Sequence, residues 1–186
     1  MKTPLTVLLF FLTITTVLGQ PDNKVAHTPT LNHDWRMGYI NITELGGGLG
    51  LSTTSVPYSK SYFSITNING YQFSRNIKGG IGVGLQFHNG GMLVPVFIDG
   101  RFSFSAQEVV PFFSIDGGLA MSLEDFNAQS RIFFNPAVGV KYVAMPKIAF
   151  SLSGGLMVQA GGAERRSSFI SLRLGVEFKG KEWKKL

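Results

Sequence analysis

Seven charged residues stand in a long stretch of sequence that is otherwise thinly charged: Glu44, Asp99, Arg101, Asp116, Lys141, Arg173 and Glu177. Each is set among glycine, serine, alanine or asparagine, and each falls on the small-residue side of an alternation with bulky apolar residues. Side chains two apart share one face of a strand. Four acids and three bases on one face can pair with one another, or they can line a gated path for ions or water. An unpaired charge taken out of water is very costly, so mutual pairing is the first expectation and conduction the second. Which acid meets which base is not readable from the spacing.

Other chemistry is poorly provided for. Acyl-transfer or hydrolytic catalysis calls for a histidine working with a nucleophile and an acid, and the chain has three histidines. His27 and His33 precede the alternating region, and His88 sits alone in a tight loop with no acid near it in sequence. No catalytic residues are therefore expected. His27, His33 and Asp34 are too sparse to read as a metal site, and no metal or cofactor is expected. Gly79–Gly84 (GGIGVG) looks like a nucleotide loop, but no helix follows to supply a phosphate-binding N-terminus, so these are read as glycines facing a narrow interior. Asn41-Ile42-Thr43 matches a glycosylation acceptor but opens a strand, and is discounted.

The elements that position the seven charges come from the rest of the text. Of 186 residues, 23 are glycine, 16 phenylalanine and none cysteine. So much glycine disfavours helices and suits close backbone approach in a sheet; without cysteine, a disulfide-stapled secreted domain is excluded. The net charge of +6 gathers at the ends, in Lys2 and in Lys179, Lys181, Lys184 and Lys185. No basic patch or motif within the fold suggests nucleic-acid binding, and none is expected.

Residues 1–20 combine Lys2, an apolar run from Leu5 to Leu18 and a small residue at Gly19, the anatomy of a cleaved signal peptide. The run is too short for a spanning helix. Residues 21–37 are polar, carry two prolines and read as an extended periplasmic lead-in. From residue 38 to 178 the period-two alternation of a half-buried strand recurs eight times. The third stretch shows it best, with Ile81, Val83, Leu85 and Phe87 opposite Gly80, Gly82, Gly84 and Gln86. The first two stretches, near 38–52 and 61–74, are less regular, and the first reads as slipping phase near Thr43. Residues 179–186 form a basic tail.

A soluble barrel or sandwich would turn its apolar face inward and show water a face rich in lysine and glutamate. Here the polar face is glycine, serine, alanine and asparagine with a few charges. Such residues suit the narrow interior of an eight-stranded barrel. The branched and aromatic face then meets hydrocarbon, and closure leaves no unpaired edge in lipid. Tyr39, Tyr62, Tyr71, Phe73, Phe104, Phe112, Phe133 and Tyr142, near strand ends, fit interfacial girdles. Short connections are expected after strands two, four and six and longer polar ones over 52–60, 124–130 and 161–167, with a tight turn at His88–Gly91.

The carriers of a family likeness are Gly70-Tyr71-Gln72-Phe73 with Gly79–Leu85, then Leu93–Phe102, Pro111-Phe112-Phe113 into Ile115–Gly118, and Leu172–Phe178. On these the chain resembles the small outer-membrane β-barrel domain family of OmpA/OmpX-like and PorT-like single-domain bacterial barrels. The resemblance implies an all-β, eight-stranded antiparallel up-and-down transmembrane barrel in the outer membrane of a Gram-negative bacterium. It also implies outer-membrane lipid and the barrel assembly machinery as partners, with Phe178 as the terminal aromatic that this machinery reads, although Lys179–Leu186 follow it. The role expected is structural or interactive, with the lumen plugged by small residues and a charge network. The alternatives are a small pore through that lumen, or a soluble periplasmic barrel binding an apolar ligand.

Overall fold

The computed structural model describes residues 36–51, 60–105, 108–122, 130–161 and 166–180. The signal peptide, nearly all of the lead-in, most of the three longer connections and the tail beyond residue 180 lie outside the described residues. The described chain consists of eight strands: β1 (Gly38–Gly50), β2 (Ser61–Gln72), β3 (Ile77–His88), β4 (Gly91–Ser103), β5 (Val109–Ser122), β6 (Arg131–Met145), β7 (Ile148–Gly161) and β8 (Arg166–Lys179). Each pairs antiparallel with the next, and β1 pairs with β8 to close the barrel. Closure matters because an open edge would leave a row of backbone N–H and C=O groups without partners.

The two ends differ. At one, here the turn end, β2–β3, β4–β5 and β6–β7 connect through residues 73–76, 104–108 and Pro146-Lys147. The other, the loop end, carries the longer connections and the two-residue turn Asn89-Gly90 between β3 and β4. Gly91, just after that turn, has φ 145°, a conformation that side chains rarely adopt. Two prolines interrupt the ladders: between β3 and β4 the register lapses around Pro95, and between β6 and β7 around Pro136. Proline has no N–H to give a neighbouring strand.

Alternation sorts side chains cleanly. Ile81, Ile98, Val138, Ile170 and Leu172 are among the most exposed residues, while Ser114, Gln72, Gln159 and Asp99 are among the most buried. A barrel that shows branched chains outward and hides serine, glutamine and charge is the inverse of a soluble domain. It is a transmembrane β-barrel. A soluble barrel that binds an apolar ligand needs the opposite arrangement, so that alternative fails.

Two expectations are corrected. Tyr62, Phe112 and Phe133 do not belong to girdles: they are 7%, 4% and 7% exposed and point into the lumen, whereas Tyr39, Tyr71, Phe73, Phe104 and Tyr142 are exposed on the outside. Nor does β1 slip. It keeps one phase from Gly38 to Gly50, placing Ile40 and Ile42 inside and Asn41 and Thr43 outside.

The lumen as candidate functional site

The interior is narrow, so each ring inside needs a gap opposite it. Tyr62 on β2 pairs across the sheet with Gly48 on β1, and a Cβ on Gly48 would fall 2.1 Å from the tyrosine ring. Phe97 on β4 pairs with Gly82 on β3, where a Cβ would come within 2.2 Å of the ring. Glycine here is the space that an aromatic occupies. Towards the loop end the rings pack together: Tyr62 lies edge-on to Phe169 at 5.3 Å, His88 stands 5.6 Å from Tyr62, and Phe97 meets Phe133 at 5.8 Å. Leu93, Ala120 and Met157 complete this apolar layer.

The charges lie below it. The structure places all seven residues singled out from the sequence inside the barrel, at 8% exposure or less. Arg101 on β4 donates from Nη2 to Glu44 Oε1 on β1 at 2.8 Å, and from Nε to Asp99 Oδ1 and Oδ2 at 3.1 and 3.0 Å. Arg173 on β8 pairs with Asp116 on β5, reaches Glu44 Oε2 at 3.2 Å and donates to Ser114 Oγ at 3.1 Å. Asn135 donates to Asp116 Oδ2 at 3.4 Å and accepts from Ser171 Oγ at 3.2 Å. The Arg101 guanidinium also sits 5.8 Å from the centre of the Phe112 ring, a cation–π distance.

Nearer the turn end Glu177 on β8 holds two lysines, Lys78 on β3 and Lys141 on β6, the second at 3.7 Å. Four ion pairs therefore span the lumen between strands that are not neighbours: β1 to β4, β5 to β8, β3 to β8 and β6 to β8. Carboxylates and guanidinium groups in charge-assisted contact bond more strongly than neutral pairs.

Sequence reasoning missed Lys78, which is 2% exposed. It lies two residues before Gly80, in the phase already assigned to the interior, so extending that phase by one step finds it. With Lys78 the acids Glu44, Asp99, Asp116 and Glu177 face four bases, Lys78, Arg101, Lys141 and Arg173, and four against four makes the network neutral. Arg131 and Lys179 are also buried, nearer the two mouths. Arg131 donates to Ser167 Oγ at 3.5 Å, and Lys179 donates to the carbonyl of Arg36 and to Gln72 Oε1.

Two small cavities lie in the lumen among the described residues. A cavity of about 40 Å³ is bounded by Tyr62, Phe97, Phe133, Asn135, Asp116 and Arg173, room for a few waters at most. A second, of about 10 Å³, lies among Lys78, Arg101, Lys141 and Glu177. Among the described residues, no group of three or more His, Cys, Asp or Glu is placed to hold a metal ion.

A closed antiparallel barrel with an apolar exterior and a charged interior defines the class: a small transmembrane β-barrel. Solved structures of the same class share the fold. Neisserial surface protein A superposes with a TM-score of 0.59 at 15% identity, covering 78% of this chain and 99% of that one. The outer membrane protein OprG from Pseudomonas aeruginosa gives 0.53 at 8% identity, covering 82% of this chain and 99% of that one. No family model and no curated protein sequence matches the chain.

Proposed function

We propose that the protein is an integral outer-membrane barrel with a structural or interaction role, its lumen closed by an ion-paired plug and its longer loops presented outside the cell. The observation that carries this reading is the set of ion pairs that cross the lumen between non-adjacent strands. A conducting path needs groups that release an ion as readily as they bind it. Here each acid of the network has a basic partner, and an aromatic layer stands on the loop side of it.

The apolar belt supports outer-membrane lipid as surroundings, because only a closed barrel lets strands cross hydrocarbon. The barrel assembly machinery is the expected insertion partner, with Phe178, exposed on the last strand, as the aromatic it reads. The loops over 52–60, 124–130 and 162–165 are then the surface for a partner, and the residues beyond β8, with Lys181, Lys184 and Lys185, are the periplasmic tail.

Planar-bilayer recording of the refolded protein tests the plug. Wild type gives no reproducible current steps, and neither does a variant with Lys141→Met. Reproducible unitary conductance from wild type would replace the plug with a pore. Fractionation of cells, with a gel shift between heated and unheated samples, tests the compartment and the closed barrel together.

A further inference from the structure

The belt has one polar island. Between the end rows, the outward side chains of β1–β8 among the described residues are apolar, aromatic, proline or glycine, except Ser168 near the loop end of β8 and a group on β1 and β2. There Asn41, Thr43, Asn67 and Asn69 face outward beside Tyr39. Asn41 pairs across the sheet with Asn69, and Thr43 with Asn67. Counted along the strand from Tyr39, Thr43 lies about 10 Å into the belt, from ~3.3 Å per residue and a tilt near 40°.

The island is not forced by a need for local comfort. Ile40, Ile42 and Ile68, on the same strands, are 0–1% exposed and face the lumen. A one-residue bulge in each strand would send these isoleucines to the lipid and hide the amides, because a one-residue shift exchanges faces. The ladders of β1 with β2 and with β8 run without one. Glu44, two residues on, is held inside by Arg101 and Arg173, which locks the phase of β1. Local pattern and global fold disagree here, and such places are where function is expected.

The amides partly satisfy one another. Asn41 Nδ2 donates to Asn67 Oδ1 and Asn69 Oδ1, both at 3.0 Å; Asn67 Nδ2 donates to Asn41 Oδ1 at 3.1 Å and Thr43 Oγ1 at 2.9 Å. Asn69 Nδ2 donates to Asn67 Oδ1 at 2.9 Å, and the Tyr39 hydroxyl donates to Asn69 Oδ1. Among the described residues, one N–H of Asn69 and the hydroxyl hydrogen of Thr43 have no acceptor. Hydrocarbon offers none.

We infer that this island is a docking surface for a second copy of the same chain, meeting across a two-fold axis that runs along the membrane normal. Two barrels inserted in the same direction can be related by a two-fold only about that axis, so each residue meets its neighbour's equivalents at its own depth. The polar band at that depth on a neighbouring copy is the island itself. It is uncharged and carries both donors and acceptors, and is therefore self-complementary.

The inference rests on the membrane-spanning reading, and the experiment separates the two. The chain has no cysteine, so Asn67→Cys and, on the far side of the barrel, Val138→Cys each supply one thiol. Val138 is outward and four residues from Tyr142, as Thr43 is from Tyr39. Expected in membranes treated with copper–phenanthroline as oxidant is a disulfide dimer from Asn67→Cys and about tenfold less from Val138→Cys. In detergent sedimentation, the triple variant Asn41→Leu, Asn67→Leu and Asn69→Leu should raise the dimer dissociation constant by about tenfold, from ~1 kcal/mol or less for each symmetry-related polar contact, while keeping its heat-dependent gel shift. Equal cross-linking at the two sites, cross-linking only to a different protein, or an unchanged dissociation constant would overturn the inference. Loss of the gel shift in wild type would instead strike at the barrel reading.

Discussion

Arg101 is the side chain whose removal tests the lumen network most directly. It makes one contact to Glu44 and two to Asp99, and it is 7% exposed. Replacing it with methionine keeps much of the volume and takes away the charge. Glu44 retains Arg173 at 3.2 Å. Asp99, 1% exposed, loses the only cation within salt-bridge distance among the described residues. Breaking a buried pair by removing one partner costs about 3–5 kcal/mol, chiefly because a charge is left uncompensated. Because Glu44 keeps a partner, the lower half of that range, about 3–4 kcal/mol, is expected for Arg101→Met. The diagnostic step is the second substitution. Adding Asp99→Asn removes the stranded carboxylate, so the double variant should regain about 1–3 kcal/mol and the two changes should be strongly non-additive. The measurement is urea unfolding of protein refolded into lipid vesicles, followed by the heat-dependent gel shift. A loss below about 1 kcal/mol for Arg101→Met, or a double variant weaker than the single, would refute the argument that these groups are held by their mutual charge.

Gly82→Val should cost about 1–3 kcal/mol, the usual range for overpacking, because its Cβ would fall 2.2 Å from the Phe97 ring. Adding Phe97→Ala should return part of that loss in the same unfolding assay, and no return would mean that the ring does not fill the glycine gap. Ile98→Arg, at a position 71% exposed on the middle of β4, should destabilise by about 2–4 kcal/mol, as arginine does near a bilayer midplane. Ile98→Phe should leave stability almost unchanged. An Arg variant as stable as wild type in vesicles would show that this face does not touch hydrocarbon.

Most of the fold is legible along the chain because a barrel strand writes its two environments in alternate letters. From β3 to β8 the bulky residues read as outward lie outward and the small ones inward, with no helix or long-range reordering to blur the pattern. The reading failed where residue type and environment part company. Aromatic rings near strand ends suggest a girdle, yet Tyr62, Phe112 and Phe133 sit inside. Their phase carried the signal, since each shares the small-residue side of its strand and pairs with a glycine, Gly48, Gly139 or Gly118. In β1 the order of residues reads as a change of phase near Thr43 that the strand does not make.

The division between the two levels of information is physical. Strand periodicity is a property of the backbone, so length, number of strands and the face of nearly every side chain follow from the order of residues alone. Depth is different. Which inward residue stands beside which depends on the stagger between strands and on closure of β8 against β1, and a charge has no partner in the text until that stagger is set. Only the closed barrel brings Arg101 across to Glu44, Arg173 to Asp116 and Lys78 to Glu177. Only there does the phase held by Glu44 leave the amides of Asn41, Asn67 and Asn69 facing lipid.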